Sequence, residues 1–115
     1  MSLYQKTVIA SSQISRGGQV NATLLQPSNI GILVRRILDV TTFDVTKVRA
    51  QKRYELETIG RVPLGSFRAG KVLTHWDFEM NGEPLPPGRY LVTLRAVEAD
   101  LVREFGRSRV IRIRH

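Results

Sequence analysis

The chain has 115 residues, a formal net charge of +8 and no cysteine. That length suits one domain, and the missing cysteines exclude disulfides, thiolate nucleophiles and cysteine-ligated metal centres. No apolar run approaches the roughly 18 residues that a bilayer-spanning helix needs, so no membrane span is expected.

The amino-terminal stretch MSLYQKTVIASS has no basic segment followed by a long apolar one, so it does not read as a secretory signal. Met1-Ser2-Leu3 reads as a vector remnant, which would leave residues 4–115 as a single excised domain. From there on the hydrophobic pattern has a period of two, not 3.6. Thr7 to Ile14 is rich in strand-forming residues and is expected at a sheet edge. Gly17-Gly18 reads as a hairpin turn. Gln19 to Leu25 then alternates, with Val20, Ala22 and Leu24 on one face. Ile30 to Leu38 follows Pro27-Ser28-Asn29, is apolar on both parities and reads as a central strand. Thr41 to Ile59 is ambiguous: Val48 to Glu57 fits a short helix, but the β character of the rest of the chain favours strand. Arg61 to Gly70 (RVPLGSFRAG) reads as loop from its proline and glycines.

Val72 to Met80 alternates again, with Val72, Trp76, Phe78 and Met80 on one face and His75, Asp77 and Glu79 on the other. Asn81-Gly82 tolerates positive φ and ends this strand in a tight turn. Pro84, Pro86 and Pro87 exclude helix, and Gly88 restores backbone freedom. Tyr90 to Ala96 sets Tyr90, Val92, Leu94 and Ala96 inward and Thr93 and Arg95 outward. Arg107 to Arg114 places Val110, Ile111 and Ile113 among arginines. The apolar residues change parity there, which suggests a bulge or a face switch, and the charges suit an edge strand. About seven strands with turns between them point to an all-β, Ig-like or fibronectin type III-like antiparallel sandwich.

From Ala69 the sequence AGKVLTHWDFEMNGEPLPPGRYLVTLRA resembles the Ig-like module of the bacterial flagellar hook-capping protein and related carboxy-terminal modules of secreted bacterial proteins. The shared pattern is a glycine-led strand carrying Trp-Asp, then Asn-Gly, then Pro-x-Gly-x-Tyr. It covers about a quarter of the chain. Phe78 stands where the family usually has glycine, so the turn after Trp76 is expected to be built differently. The Leu85-to-Tyr90 spacing is also similar to that of fibronectin type III domains, one residue shorter. The resemblance implies an extracytoplasmic, non-enzymatic module that spaces, caps or docks within a larger assembly. Its partners would be other proteins or flanking domains of a parent chain.

The residues themselves favour structure over chemistry. Trp76 and Phe78 read as core between the sheets. Tyr90 reads as a tyrosine-corner residue whose hydroxyl reaches backbone near Leu85. Asn81, Gly82, Pro87 and Gly88 read as backbone devices. His75, Asp77 and Glu79 form a legitimate ligand set for a divalent ion. At about 7 Å spacing along one strand they close poorly on a single ion, so a polar outer face is preferred and no metal or cofactor is expected. No nucleophile elbow, zinc-protease helix or phosphate-binding glycine loop is present, and neither His75 nor His115 has a triad-like context, so no enzyme activity or small-molecule substrate is expected.

Arginine outnumbers lysine by 14 to 4. Such a balance permits binding to nucleic acid, an anionic polymer or an acidic protein. Arg35, Arg36, Arg107, Arg109, Arg112 and Arg114 are the candidate anion contacts. A small basic binding domain, cytoplasmic and acting through the Arg107–Arg114 strand, is therefore the alternative to an assembly module. The aromatic platforms that usually accompany single-strand binding are absent from that strand. A carbohydrate-binding sandwich would need an exposed aromatic strip, and Trp76, Phe78 and Tyr90 all fall on inward faces.

Overall fold

A computed structural model describes residues 7–44, 49–98 and 101–114. Met1-Ser2-Leu3, Val45, Thr46, Val48 and His115 lie outside them. The described residues form nine strands and no helix: β1 (Ile9–Ile14), β2 (Gln19–Leu24), β3 (Ser28–Asp44), β4 (Arg49–Phe67), β5 (Gly70–His75), β6 (Glu79–Met80), β7 (Glu83–Pro84), β8 (Gly88–Glu98) and β9 (Leu101–Ile113). Every pairing is antiparallel. One sheet has the order β1-β2-β5, a second β4-β3-β8-β9, and β6 pairs with β7 alone. Two of the nine strands, β6 and β7, are only two residues long, which is why the sequence shows fewer.

Alternation explains the core. Val20, Ala22 and Leu24 of β2 and Val72 of β5 meet Ile30, Ile32 and Val34 of β3 and Tyr90, Val92, Leu94 and Ala96 of β8 in one buried cluster. Residues of both large sheets share that cluster, an arrangement compatible with a β-sandwich. The β1 and β9 edges close on each other through side chains. Glu104 accepts from the amides of Val8, at 3.0 Å, and Ile9, and Ser12 Oγ accepts from the Arg107 amide at 2.8 Å. Capping these edges removes donors that would otherwise template a further strand.

Three expectations change. Arg61 to Phe67 is not loop; it continues β4 and pairs with Ser28 to Leu33. Pro63 is tolerated because β4 is the edge of its sheet, and the register shift at Ile30/Gly31 absorbs the irregularity. Val72 to Met80 is not one strand: β5 stops at His75, and Phe78 takes φ 58°. The β8–β9 register runs unbroken from Gly88↔Ile113 to Thr93↔Ser108, so the parity change at Val110 marks no bulge. Val110 simply points outward, 53% exposed, while Ile111 is buried. The irregularities lie nearer the hairpin end, between Thr93 and Arg95 and between Ala96 and Val97. The choice of strand over helix for Thr41 to Ile59 holds in the described residues: Thr41 to Asp44 extends β3, and the residues from Arg49 on belong to β4.

That extension gives the molecule its outline. β8 pairs with β3 only from Asn29 to Arg36. Beyond it, Ile37–Asp44 pairs with Arg49–Leu56 and, among the described residues, with no other strand. Eight residues of strand make a two-stranded ribbon about 26 Å long. The radius of gyration is 17.2 Å, against about 13–14 Å for a compact chain of this length. Arg89 braces the ribbon root: its guanidinium donates to Asp39 Oδ1 at 2.7 Å and lies 5.4 Å from the centre of the Tyr54 ring.

Candidate functional site

Two regions hold the residues singled out from the sequence. The first is the corner from Trp76 to Tyr90. Trp76 is 4% exposed, and its indole nitrogen donates to the Glu79 carbonyl at 2.9 Å. Its ring lies 5.1 Å from that of Phe78, tilted by 58°, and Phe78 is half-buried. The left-handed φ of Phe78 is a conformation that glycine supplies without strain. A left-handed conformation at this position is thus occupied by a phenylalanine and not by a glycine. Asn81 (φ 55°) and Gly82 (φ 81°) form the two-residue turn between β6 and β7, the pairing of positive φ values that a primed hairpin turn requires. The Leu85 amide then donates to the Phe78 carbonyl at 3.0 Å, closing the excursion, and Leu85 is buried. Pro87 is exposed, and Gly88 opens β8 with φ 155°.

Tyr90 is 1% exposed, and its hydroxyl donates to the Pro86 carbonyl at 2.6 Å. Tyr90→Phe keeps the ring and strands that carbonyl. The expected loss is about 1 kcal/mol, read as a lowered midpoint in urea unfolding with an unchanged slope. An unchanged midpoint would remove the bond from the list of stabilising contacts.

His75, Asp77 and Glu79 do not share a strand face. Because β5 ends at His75, the chain turns and brings Asp77 Oδ1 to 2.9 Å from His75 Nδ1, while Glu79 begins β6. The other imidazole nitrogen lies 3.0 Å from the Gly17 carbonyl, so the ring ties β5 to the β1–β2 turn. Among the described residues no three metal-binding side chains gather.

The second region is the arginine set, which the fold divides. Arg35 and Arg36 are both half-buried and point to opposite faces of β3. Arg36 lies near Gly88, and the buried Nε of Arg35 has no hydrogen-bond partner among the described residues. On β9, Arg109 pairs with Val92 and Arg112 with Arg89, so these two also take opposite faces. Arg107 and Arg114 are exposed, and Arg109 is half-buried. The terminal strand therefore presents no single row of four guanidiniums.

Sequence reading overlooked two arginines that the sheet does bring together. Arg95 is on the outward parity of β8, yet only 7% exposed. In register it faces Gly31 of β3, which in turn faces Pro63 of β4. Arg61 of β4 is close enough to act on it. Burial holds the Arg95 guanidinium below the ordinary arginine pKa, and the Arg61 charge lowers it further. The available signal was Gly31, a lone glycine inside a strand pattern, which marks a close approach. Register, which the sequence does not display, decides what approaches it.

Among the described residues no helix is long and apolar enough to cross a membrane. In comparisons with known proteins, no family model matches this chain, and no curated sequence matches it either.

Proposed function

We propose that this chain is a non-catalytic structural module that docks or spaces within a larger exported bacterial assembly. In this reading it is an Ig-like or fibronectin type III-like β-sandwich that resembles the module of the flagellar hook-capping protein. The observation that carries the docking role is the β3–β4 ribbon. It extends past β8 with Tyr54 68% and Leu56 48% exposed. A two-stranded ribbon alone is marginal in water, and a partner surface laid against it would supply the missing burial. The three-plus-four strand arrangement and the corner from Trp76 to Tyr90 support the family resemblance. The extracytoplasmic location follows from that resemblance.

The test is fractionation of the source cells with an antibody raised against this domain. A larger band in the envelope or medium is expected. A band of this chain's own mass confined to the cytoplasm would overturn the reading and favour the basic-binding alternative. That alternative draws on exposed Arg107, Arg112 and Arg114. It requires nucleic-acid affinity that falls with salt by a slope of about −0.9 per phosphate neutralised.

A further inference from the structure

The outer face of the four-stranded sheet contains a hollow of about 350 Å³. Gly31, Pro63 and Val97 supply its apolar walls, the Val62 backbone lies beside Gly31, and Arg61 and Arg95 supply its charge. The hollow exists because Gly31 has no side chain between Pro63 and Arg95, its register neighbours. A Cβ at Gly31 would also meet the Val62 carbonyl at 2.9 Å, so the position resists filling.

Arg95 is the unusual member. Arg95 is only 7% exposed as a residue, and a cation so covered ordinarily has a carboxylate beside it. Among the described residues none pairs with Arg95 or Arg61; the arginine ion pairs present are Arg89–Asp39 and Arg103–Glu98. The charge that acts on Arg95 is a second cation, Arg61. Two guanidiniums that line one hollow repel each other until an anion lies between them. They offer the planar, forked donors that match an oxyanion. The walls discriminate among oxyanions. A carboxylate carries one charge on an organic stem that apolar walls can accept. A free phosphate is more highly charged and has no apolar side to bury.

We infer that the Gly31 hollow is a binding site for a polypeptide carboxylate flanked by apolar atoms, held between Arg61 and Arg95. The site goes beyond the docking ribbon and stands on different residues. An acidic residue between apolar neighbours and a chain-terminal carboxylate after an apolar residue share this chemistry.

Amide NMR titration of the intact chain tests it with two tripeptides. One is acetylated and amidated, with glutamate between two leucines. The other has glutamine in the centre and a free carboxy terminus. Saturable shifts at Gly31, Val62 and Val97 with either peptide are expected, and the better peptide identifies the source of the carboxylate. Arg61 is exposed, so Arg61→Gln should fold normally and weaken binding about tenfold, the value of a charge-assisted hydrogen bond. Arg112→Gln, which removes an equal charge outside the hollow, should change affinity by less than about twofold. Arg95→Gln should abolish the shifts, and its own spectrum reports whether it is folded. The inference is overturned if neither peptide shifts these amides up to its solubility limit. Equal losses in Arg61→Gln and Arg112→Gln, or tighter binding of inorganic phosphate at the same amides, overturn it too.

Discussion

Trp76→Ala is expected to cost about 3–5 kcal/mol, the largest loss available from a single side chain here. The ring is 4% exposed and belongs to the buried cluster that both large sheets share. Its removal opens a cavity in that cluster and strips Phe78 of its ring partner. It also leaves the Glu79 carbonyl without the indole donor at 2.9 Å. A domain of this size is stabilised by about 5–15 kcal/mol in total, so the variant should unfold far earlier in urea or lose cooperative unfolding outright. Trp76→Phe separates the two contributions: it refills most of the space and still lacks the donor, so it should fall between alanine and wild type. A Trp76→Ala protein with the parent's midpoint would show that the sheets do not depend on this ring.

The sequence makes the core readable where strands are long and one face is dry. Val20, Ala22 and Leu24 are buried as their alternation requires, and so are Tyr90, Val92, Leu94 and Ala96. It misleads where a residue's usual preference yields to its surroundings. Pro63 and Gly65 announce a loop, but an edge strand needs neither the proline's missing donor nor a side chain at the glycine. Phe78 gives no warning of a left-handed backbone, because phenylalanine gains nothing from one; packing against Trp76 holds it there. The ribbon is hidden for another reason. Its sequence is weakly patterned, with a helical alternative from Val48 to Glu57, and only the extent of β8 shows where residues 37–44 and 49–56 lose their third strand. The Arg61–Arg95 hollow is the least legible feature. Thr93 and Arg95 do take the outward parity, yet both are buried, at 3% and 7% exposure, since outward on a sheet is not the same as wet. Thr93 is satisfied there by Ser108, 2.7 Å away, whereas Arg95 has no such partner among the described residues.

Gly18→Ala should be nearly as damaging as losing Trp76, although it adds only a methyl group. Gly18 has φ 87°, and a Cβ there would fall far inside contact distance of the Trp76 carbonyl and within 3.1–3.3 Å of the Phe78 ring. The Gly18 carbonyl accepts the Trp76 amide at 2.8 Å, so the backbones of the β1–β2 turn and the end of β5 are fixed against each other. Neither can retreat without breaking that bond or the one from Gly18 N to the Ser15 carbonyl at 3.0 Å. The left-handed conformation costs alanine about 1–2 kcal/mol and overpacking adds about 1–3, so the expected total is about 2–5 kcal/mol. Two other glycines divide that sum. Gly82 has φ 81° and open space around its Cβ direction, so Gly82→Ala reports the backbone cost alone. Gly17 has Ser15 Oγ at 3.8 Å as its single near atom and no left-handed φ, so Gly17→Ala should be close to neutral. Unfolding midpoints should fall in the order Gly17→Ala, Gly82→Ala, Gly18→Ala. If Gly18→Ala matches Gly82→Ala, the turn yields to the methyl group and the corner around Trp76 is looser than its hydrogen bonds imply. If the two differ by the overpacking cost, the turn, Trp76 and Phe78 form one rigid unit. That rigidity would explain how phenylalanine is held at φ 58° without glycine's freedom.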